Sequence, residues 1–413
     1  MNRLVITNVI IHQQSYRILA LFDEQKKPLE ILPEPVSQQS ILGNIYIGRV
    51  ENIIANLNSA FIRISPEQQC YFSLDDLLCP VFVKKQSAQK SISIGDELLV
   101  QVKQEAQKTK EPAVTANLSL TGKYIVLTTG IRTRSVSKKL SREQKAHYQK
   151  LIADIPCEYG IVVRTNAAQT KDSAVLSELQ MLSEQMTSII RAASGGSMPR
   201  LVYQEPASYI QYLKELPEEQ LEEIVTDERS IFEDIVRSYG FPEETLMPQG
   251  KREAAVEHIT TEHGTNIRCY TDQTYLLASL YSLKSHIEDA LAKKVWLKSG
   301  GYLVIEPTEA LYVIDVNTGK SIDKKDRRKN ILHVNKEAAI EIARQLRLRN
   351  LSGMILVDFI SMEHRGDEEE LIHLLRQRLK QDPVPTQFVD ITRLGLAEIT
   401  RKKTRKSLYE LLA

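Results

Sequence analysis

The sequence is poor in cysteine and has a single tryptophan, no long apolar run and almost no net charge. Its four cysteines, Cys70, Cys79, Cys157 and Cys269, lie far apart without CxxC or CxxxxH pairing. That argues against a disulfide framework and against a structural zinc site built from them, and they read as buried thiols. No apolar run approaches the roughly 18 to 20 residues that a membrane-spanning helix needs. The start, Met1-Asn2-Arg3-Leu4, leads into an apolar stretch that Thr7, Asn8 and His12 interrupt too early for a signal peptide. A cytoplasmic protein with no membrane span is expected. What is there is ordinary globular material: 413 residues, 42% hydrophobic and 26% charged, enough for about three domains.

A net charge of +1 predicts no nucleic-acid partner by itself, but its distribution does. Between Lys320 and Asp358 ten Lys/Arg stand against five Asp/Glu, and between Arg393 and Lys406 six stand against one. The neutral total hides a basic C-terminal third.

Alternating apolar positions over the first 35 residues (Leu4, Ile6, then Ile18, Ala20, Phe22) predict a hairpin of strands. From Ser40 to Leu120 short β-rich segments follow, namely Asn44 to Val50, Ser59 to Ile64, Cys70 to Leu74 and Leu98 to Val102, separated by turn signals. This pattern suggests a small closed barrel of the kind that binds oligonucleotides. Next come a strand at Tyr124 to Thr128, a Ser141-x-x-Gln144 capping box opening a helix, and a strand at Gly160 to Arg164. Val175, Leu179, Leu182, Met186 and Ile189 form the core stripe of a helix that starts at Asp172-Ser173 and stops at Gly195-Gly196. A further α/β stretch spans Val202 to Tyr281, with a strand at Glu223 to Thr226 and a helix at Ser230 to Tyr239. The final section reads strand Tyr302 to Glu306, strand Leu311 to Val316, a long helix ending near Arg349, strand Met354 to Phe359, a helix from Glu368 to Gln381 and a last strand Gln387 to Ile391. That order predicts a mixed α/β layer with a largely parallel sheet.

The sharpest local signal is a matched pair. Leu311-Tyr312-Val313-Ile314-Asp315 and Met354-Ile355-Leu356-Val357-Asp358 each run four apolar residues straight into an aspartate. Both strands read as buried, where a carboxylate costs several kcal/mol unless donors or a cation compensate it. Either Asp alone is as well explained by backbone capping. Together, on neighbouring strands, they would present their oxygens at one sheet edge, where open α/β sheets place ligands. Mg²⁺ takes one or two carboxylates and keeps other positions for water and phosphate oxygens. Asn317, two positions after Asp315, shares its face, and the basic run Lys320, Lys324, Lys325, Arg327, Arg328 and Lys329 would offset the site's repulsion of a polyanion. Carboxylates beside basic residues describe metal-assisted phosphodiester cleavage, against the alternative of a structural pair on a solvated basic face.

Gly319-Lys320-Ser321 imitates the end of a Walker A loop, but the glycine required five positions earlier is Ile314, so no NTPase is expected. Arg344 and Arg347 share a helix face and read as solvated cations near a helix C-terminus, a phosphate contact being the alternative. The run Arg401-Lys402-Lys403-Thr404-Arg405-Lys406 reads as solvated surface or as a contact to a nucleic-acid backbone. In the barrel, Phe61 and Tyr71 with Lys110 fit base stacking and backbone neutralisation, while Phe61 fits core filling equally.

The strings Ile314-Asp315-Val316-Asn317-Thr318-Gly319, Glu341 to Arg349 (EIARQLRLR), Val357-Asp358-Phe359-Ile360 and Lys294-Val295-Trp296-Leu297-Lys298-Ser299-Gly300-Gly301, together with the tail Thr400 to Leu412, closely resemble the ribonuclease E/G family. The resemblance covers essentially the whole chain and is strongest from about residue 285. It implies a single-strand endoribonuclease of RNA processing and decay that leaves a 5′-phosphate and a 3′-hydroxyl. It implies an α/β multidomain fold: an RNase H-like subdomain in two parts (1–35 and 201–284), an OB-fold RNA-binding barrel (36–120), a 5′-phosphate sensor subdomain (121–200), a DNase I-like catalytic subdomain (285–400) and a basic tail (401–413). Asp315 and Asp358 fall on the family's Mg²⁺-binding pair and Asn317 on its assisting Asn. Phe61, Tyr71 and Lys110 fall on its RNA contacts, and Gly122, Val126, Arg164 and Thr165 on its sensor for a 5′-monophosphate. The barrel is expected to clamp the single strand across the catalytic pair. Two departures are visible. The sequence given has no CPxC motif, so zinc-linked dimerisation is unsupported and a homo-oligomer without that link stays open. A basic residue near the family's sensor is replaced at Pro385, which weakens the expectation of strong 5′-end sensing. The alternatives are a non-catalytic RNA-binding scaffold of the same fold and a DNA-directed nuclease.

Overall fold

The structure, a computed structural model, describes the chain except residues 38–39, 89–90, 107–109, 131, 195–198, 247–255, 320–326 and 413. Two compact units divide it: residues 1–38 with 218–413, and residues 39–217.

In the first unit the expected hairpin is a three-stranded meander, Asn2–Ile11, Gln14–Phe22 and Pro28–Pro35. His12 and Gln13, both left-handed at φ 48 and 66, make the two-residue turn whose twist suits an antiparallel pair. Asp23 organises the second turn by accepting the Gln25 and Lys27 amides, each at 2.9 Å. Asn2–Ile11 then pairs in parallel with Leu221–Thr226, which pairs in parallel with Asn266–Cys269, and His258–Thr260 completes six strands. One sheet therefore draws strands from both sides of residues 39–217, which makes that segment an insertion.

A second six-stranded sheet in the same unit has the order Lys294–Trp296, Tyr302–Pro307, Leu311–Asn317, Gly353–Asp358, Ala397–Arg401, Thr386–Ile391. The expectation of a largely parallel sheet is overturned, since only Leu311–Asn317 and Gly353–Asp358 run parallel. These two are joined by a helical crossover, Arg327–Leu348. Short turns force antiparallel pairing from Lys294–Trp296 to Leu311–Asn317 and between Thr386–Ile391 and Ala397–Arg401, whereas Gly353–Asp358 meets its antiparallel neighbour Ala397–Arg401 only after the helix Arg365–Leu379 and the strand Thr386–Ile391. Thr386–Ile391 is not the last strand, because Ala397–Arg401 folds back between it and Gly353–Asp358. Nor are the central strands buried on both faces. Ile314, Val316, Ile355 and Val357 enter a core with the helices Arg327–Leu348 and Arg365–Leu379, while the alternate residues Val313, Asp315, Met354 and Asp358 are exposed.

The Arg401–Lys406 run is not uniformly surface. Arg401 is 4% exposed and ion-paired with Asp382 at 2.8 Å, Lys402 to Lys406 are exposed, and the helix Leu408–Leu412 returns Leu408 and Leu412 to a core shared with Val5 and Leu348.

In the second unit, Ile45–Ile54, Ser59–Arg63, Gln69–Ser73, Ala113–Thr115 and Glu97–Gln104 pair in that order, and the last pairs again with the first. The result is a closed five-stranded barrel, parallel only between Gln69–Ser73 and Ala113–Thr115, consistent with an OB-fold. Beside it a four-stranded sheet (Ser119–Thr121, Ile125–Thr128, Gly160–Val163, Arg134–Val136) packs on two helices. Arg142–Ala153 opens with the expected capping box, and Asp172–Ala193 buries the whole predicted stripe. The N-cap of the latter is Lys171 rather than Asp172, which is the first helical residue and favours the positive end of the dipole; Gly195 and Gly196 lie outside the described residues. All four cysteines are free thiols; Cys70 and Cys269 are buried as expected, but Cys157 is half-buried and Cys79 is exposed. Burial pushes the Cys70 thiol up to about 12.

Candidate active site

Asp315 and Asp358 are direct register partners on the single parallel strand pair of the sheet, so both carboxylates stand on its open face side by side. Neighbouring strands lie about 4.8 Å apart. Like charges directly opposite each other destabilise a sheet unless a cation relieves them, and among the described residues no ion pair engages either carboxylate. Asn317 ends the same strand and donates from Nδ2 to Asp315 Oδ2 at 2.7 Å, which orients that carboxylate. The expected group thus converges: two exposed acids and an amide at one edge. Among the described residues no cluster of three His, Cys, Asp or Glu side chains completes a protein cage. The donor set therefore fits a hard divalent cation that keeps most positions for water and phosphate.

The turn after Asn317 needs glycine. Gly319 has φ +63, and a Cβ there would meet the Gly300 carbonyl oxygen at 2.2 Å. This close approach accounts for the glycine at 319, while Lys320 and Ser321 lie outside the described residues. Of the basic run, Lys320, Lys324 and Lys325 lie outside the described residues. Arg328 is committed to Asp367 through two bonds of 2.8 and 2.9 Å, and this partner holds the Asp367 carboxyl below its usual range.

The helix arginines are neither solvated nor poised for phosphate. Arg344 donates to Glu341 and to the Pro28 carbonyl, the latter at 3.1 Å, and Arg347 pairs with Glu30. Arg349 is 5% exposed, donates to the Ala292 carbonyl at 2.7 Å, and is pushed down to about 10 by burial and by Arg344. All three fasten the crossover helix to its own unit.

In the barrel, Phe61 and Tyr71 are register partners with ring centroids 6.3 Å apart, while their neighbours Ala60, Ile62, Cys70 and Phe72 fill the interior. Strand alternation therefore puts both rings outside, and Phe61 is not core filling. Lys110 is exposed and lies two residues before Pro112, whose carbonyl accepts the Tyr71 amide at 2.8 Å.

The four residues expected to sense a 5′-phosphate are also gathered together. Arg164 Nη1 donates to the Gly122 carbonyl at 2.6 Å and the Arg164 amide to Tyr124 at 2.7 Å, while Val126 pairs with Thr121 and Val162. Thr165 hydrogen-bonds Ser137 at 2.9 Å, and burial lowers the pKa of Arg164. Sequence reasoning missed Glu178. Its carboxylate accepts the amides of Lys123, Tyr124 and Ile125 at 2.6, 2.7 and 2.8 Å and lies where a Cβ on Gly122 would be. A cluster of three amides is an anion nest, and here an internal carboxylate fills it. Nothing in the helical periodicity of 172–193 distinguishes Glu178 from other exposed-face acids.

The sequence model described as the ribonuclease E/G family matches residues 119–404. The chain is 32% identical over 407 residues to a protein named ribonuclease E from Nostoc sp., covering 97% of this chain and 56% of that one. It is 31% identical to a ribonuclease E from Synechocystis sp., covering 97% and 58%, and 30% identical to ribonuclease G from Escherichia coli (strain K12), covering 93% and 77%. The chain thus spans little more than half the length of the two ribonuclease E relatives. With a family match over most of its length and relatives aligned nearly end to end with it, the chain belongs to the ribonuclease E/G family.

Proposed function

We propose that the chain is an endoribonuclease that cleaves single-stranded RNA in RNA processing and decay, leaving 5′-phosphate and 3′-hydroxyl ends. The observation that carries this reading is the register pairing of Asp315 with Asp358 on an exposed edge, in a chain whose curated relatives are named ribonucleases. Asp315 and Asp358 hold one Mg²⁺, and Asn317 fixes the Asp315 rotamer through its 2.7 Å bond. When bound, that ion supplies Lewis-acid polarisation of a phosphoryl oxygen and a water of lowered pKa. Both acids lie at strand ends on a packed sheet, so they need little reorganisation to receive it. In the subdomain assignment that we adopt, the sheet joining residues 2–35 to 221–269 is RNase H-like and the sheet from Lys294 to Arg401 is DNase I-like.

The outward rings of Phe61 and Tyr71 offer stacking surfaces to unpaired bases, with Lys110 supplying charge to the backbone. Arg164 and Thr165, with Gly122 and Val126 behind them, read a 5′-monophosphate: Gly122 anchors one guanidinium nitrogen, and the planar fork carries further donors toward an anion.

The test is cleavage of a labelled single-stranded RNA with Mg²⁺ and with chelator. The reading predicts Mg²⁺-dependent products with 5′-phosphate ends, and loss of cleavage with retained RNA binding in Asp315→Asn and Asp358→Asn. RNA binding without any cleavage by the unaltered chain would establish a non-catalytic scaffold instead. Equal or better cutting of a DNA oligonucleotide of the same sequence would make it a DNA-directed nuclease.

A further inference from the structure

The open face that carries Asp315 and Asp358 continues across the sheet into an aromatic group outside the catalytic set. Register places Lys294, Val304, Asp315 and Asp358 in one row, and Trp296, Tyr302 and Asn317 in the next. Cross-strand partners share a face, so Trp296 and Tyr302 stand on the same side of the sheet as Asn317. Two strand spacings put Trp296 about 10 Å from Asn317 along that row. Trp296 is the chain's one tryptophan, and it is 65% exposed. A ring that large is normally buried for the free energy it yields, so its exposure on a sheet face needs a reason. Tyr302 meets it edge-on at 5.3 Å, and the Lys294 ammonium lies 3.9 Å from the Trp296 centroid and 3.6 Å from that of Tyr302.

The group is also held rigidly. Leu297, the next residue, enters the core, and the turn from Leu297 to Gly301 closes with bonds of 2.8 and 3.0 Å. Glu337, on the crossover helix, accepts the Lys298 and Ser299 amides at 2.9 and 3.0 Å. Burial alone would raise Glu337, but the hydrogen bonds from Ser299 and Lys298 outweigh it and keep the carboxyl below its usual range. The strand bearing Trp296 is therefore tied to the helix that joins the two catalytic strands.

We propose that Trp296, with Tyr302 and Lys294, is a stacking platform for an unpaired RNA base adjoining the phosphate at Asp315 and Asp358. A flat ring with an exposed face suits any base, an edge-packed tyrosine keeps it upright, and a lysine beside it neutralises backbone charge. The platform acts through binding, so Trp296 is a positioning residue for the cleavage proposed above, on which this inference rests.

The single tryptophan makes the test specific. Fluorescence of the full chain is titrated with single-stranded oligouridylate without divalent metal, and in parallel Mg²⁺-dependent cleavage kinetics are measured for Trp296→Ala and Trp296→Phe. The platform predicts saturable quenching by the RNA, none by a sugar–phosphate oligomer lacking bases, a KM about tenfold higher in Trp296→Ala with a smaller change in kcat, and recovery in Trp296→Phe. If the unaltered chain cleaves RNA while its tryptophan emission stays constant and Trp296→Ala keeps the normal KM, the platform is wrong and the nuclease reading stands. If quenching occurs but no cleavage does, Trp296 stacks on RNA bases without positioning anything for cleavage, and both the nuclease reading and the positioning role fail. A variant that loses self-association instead of RNA affinity would assign Trp296 to a contact between copies and overturn the proposal. The unaltered chain's fluorescence decides even if Trp296→Ala misfolds.

Discussion

Removing Arg401 should loosen the sheet that holds the aspartates. Arg401 and Asp382 are 4% and 9% exposed, and their ion pair of 2.8 Å is surrounded by further bonds. Arg401 also donates to Asn350 Oδ1 at 2.6 Å and to the Leu351 carbonyl at 3.3 Å, at the entrance to the strand that ends in Asp358. Asp382 accepts from the Val384 amide at 2.9 Å and from Thr386 Oγ1 at 3.0 Å. Arg401→Met leaves a buried carboxylate without its cation, a loss of about 3 to 5 kcal/mol. Because the chain has two compact units, a single melting curve is a poor reporter, and amide hydrogen exchange across 353–358 and 397–401 reads the effect locally. At 1.36 kcal/mol per decade the loss corresponds to exchange roughly 10² to 10⁴ times faster in those strands. A double variant, Arg401→Met with Asp382→Leu, should recover much of it, since the uncompensated charge is gone. Unchanged exchange in Arg401→Met, or a double variant worse than the two single changes combined, would refute the argument that the penalty comes from the unpaired buried charge.

Other consequences follow from the same structure. Gly319→Ala should cost at least about 2 kcal/mol, because left-handed φ and a 2.2 Å approach to the Gly300 carbonyl cannot both be kept; faster exchange in residues 297–317 and at least tenfold slower cleavage are expected. Glu205 is raised to about 7 by burial, with Lys214 acting in the opposite direction. A carboxyl whose folded pKa exceeds its unfolded value of 4.5 contributes stability below that value, and loses it as pH rises through 7. Glu205→Gln should therefore gain about 3 kcal/mol on the unaltered chain between pH 4.5 and 8, measured by exchange in residues 39–217, and a flat difference would contradict this. Glu178→Ala should release three backbone amides and lower the stability of the 121–128 hairpin by about 1 to 3 kcal/mol, read as faster exchange there.

The central pair was legible because the sequence repeats one short pattern, an apolar strand ending in Asp, on either side of a helix long enough for a crossover. That connection makes the strands parallel neighbours and so brings their ends together. The barrel was legible from closely spaced turns, and the helix of 172–193 from its stripe. The antiparallel flanks were not, since strand direction depends on turns, and Ala397–Arg401 was hidden inside a basic run. Arg347 pairs with Glu30, far away in sequence, and Arg401 with Asp382 across a hairpin, so charge patterning alone read both as surface. The strands of the pair read as buried because Val313 and Met354 are apolar, yet both are exposed on the open face.

Metal binding tests the account most directly. Titration of the chain with Mn²⁺ as a spectroscopic stand-in for Mg²⁺ should give one site at the aspartate pair, weakened strongly in Asp315→Asn and in Asp358→Asn alike, with the fold of each variant unchanged by circular dichroism. Binding that survives loss of either carboxylate, or that depends on one and ignores the other, would contradict the claim that the two acids hold a single ion between them.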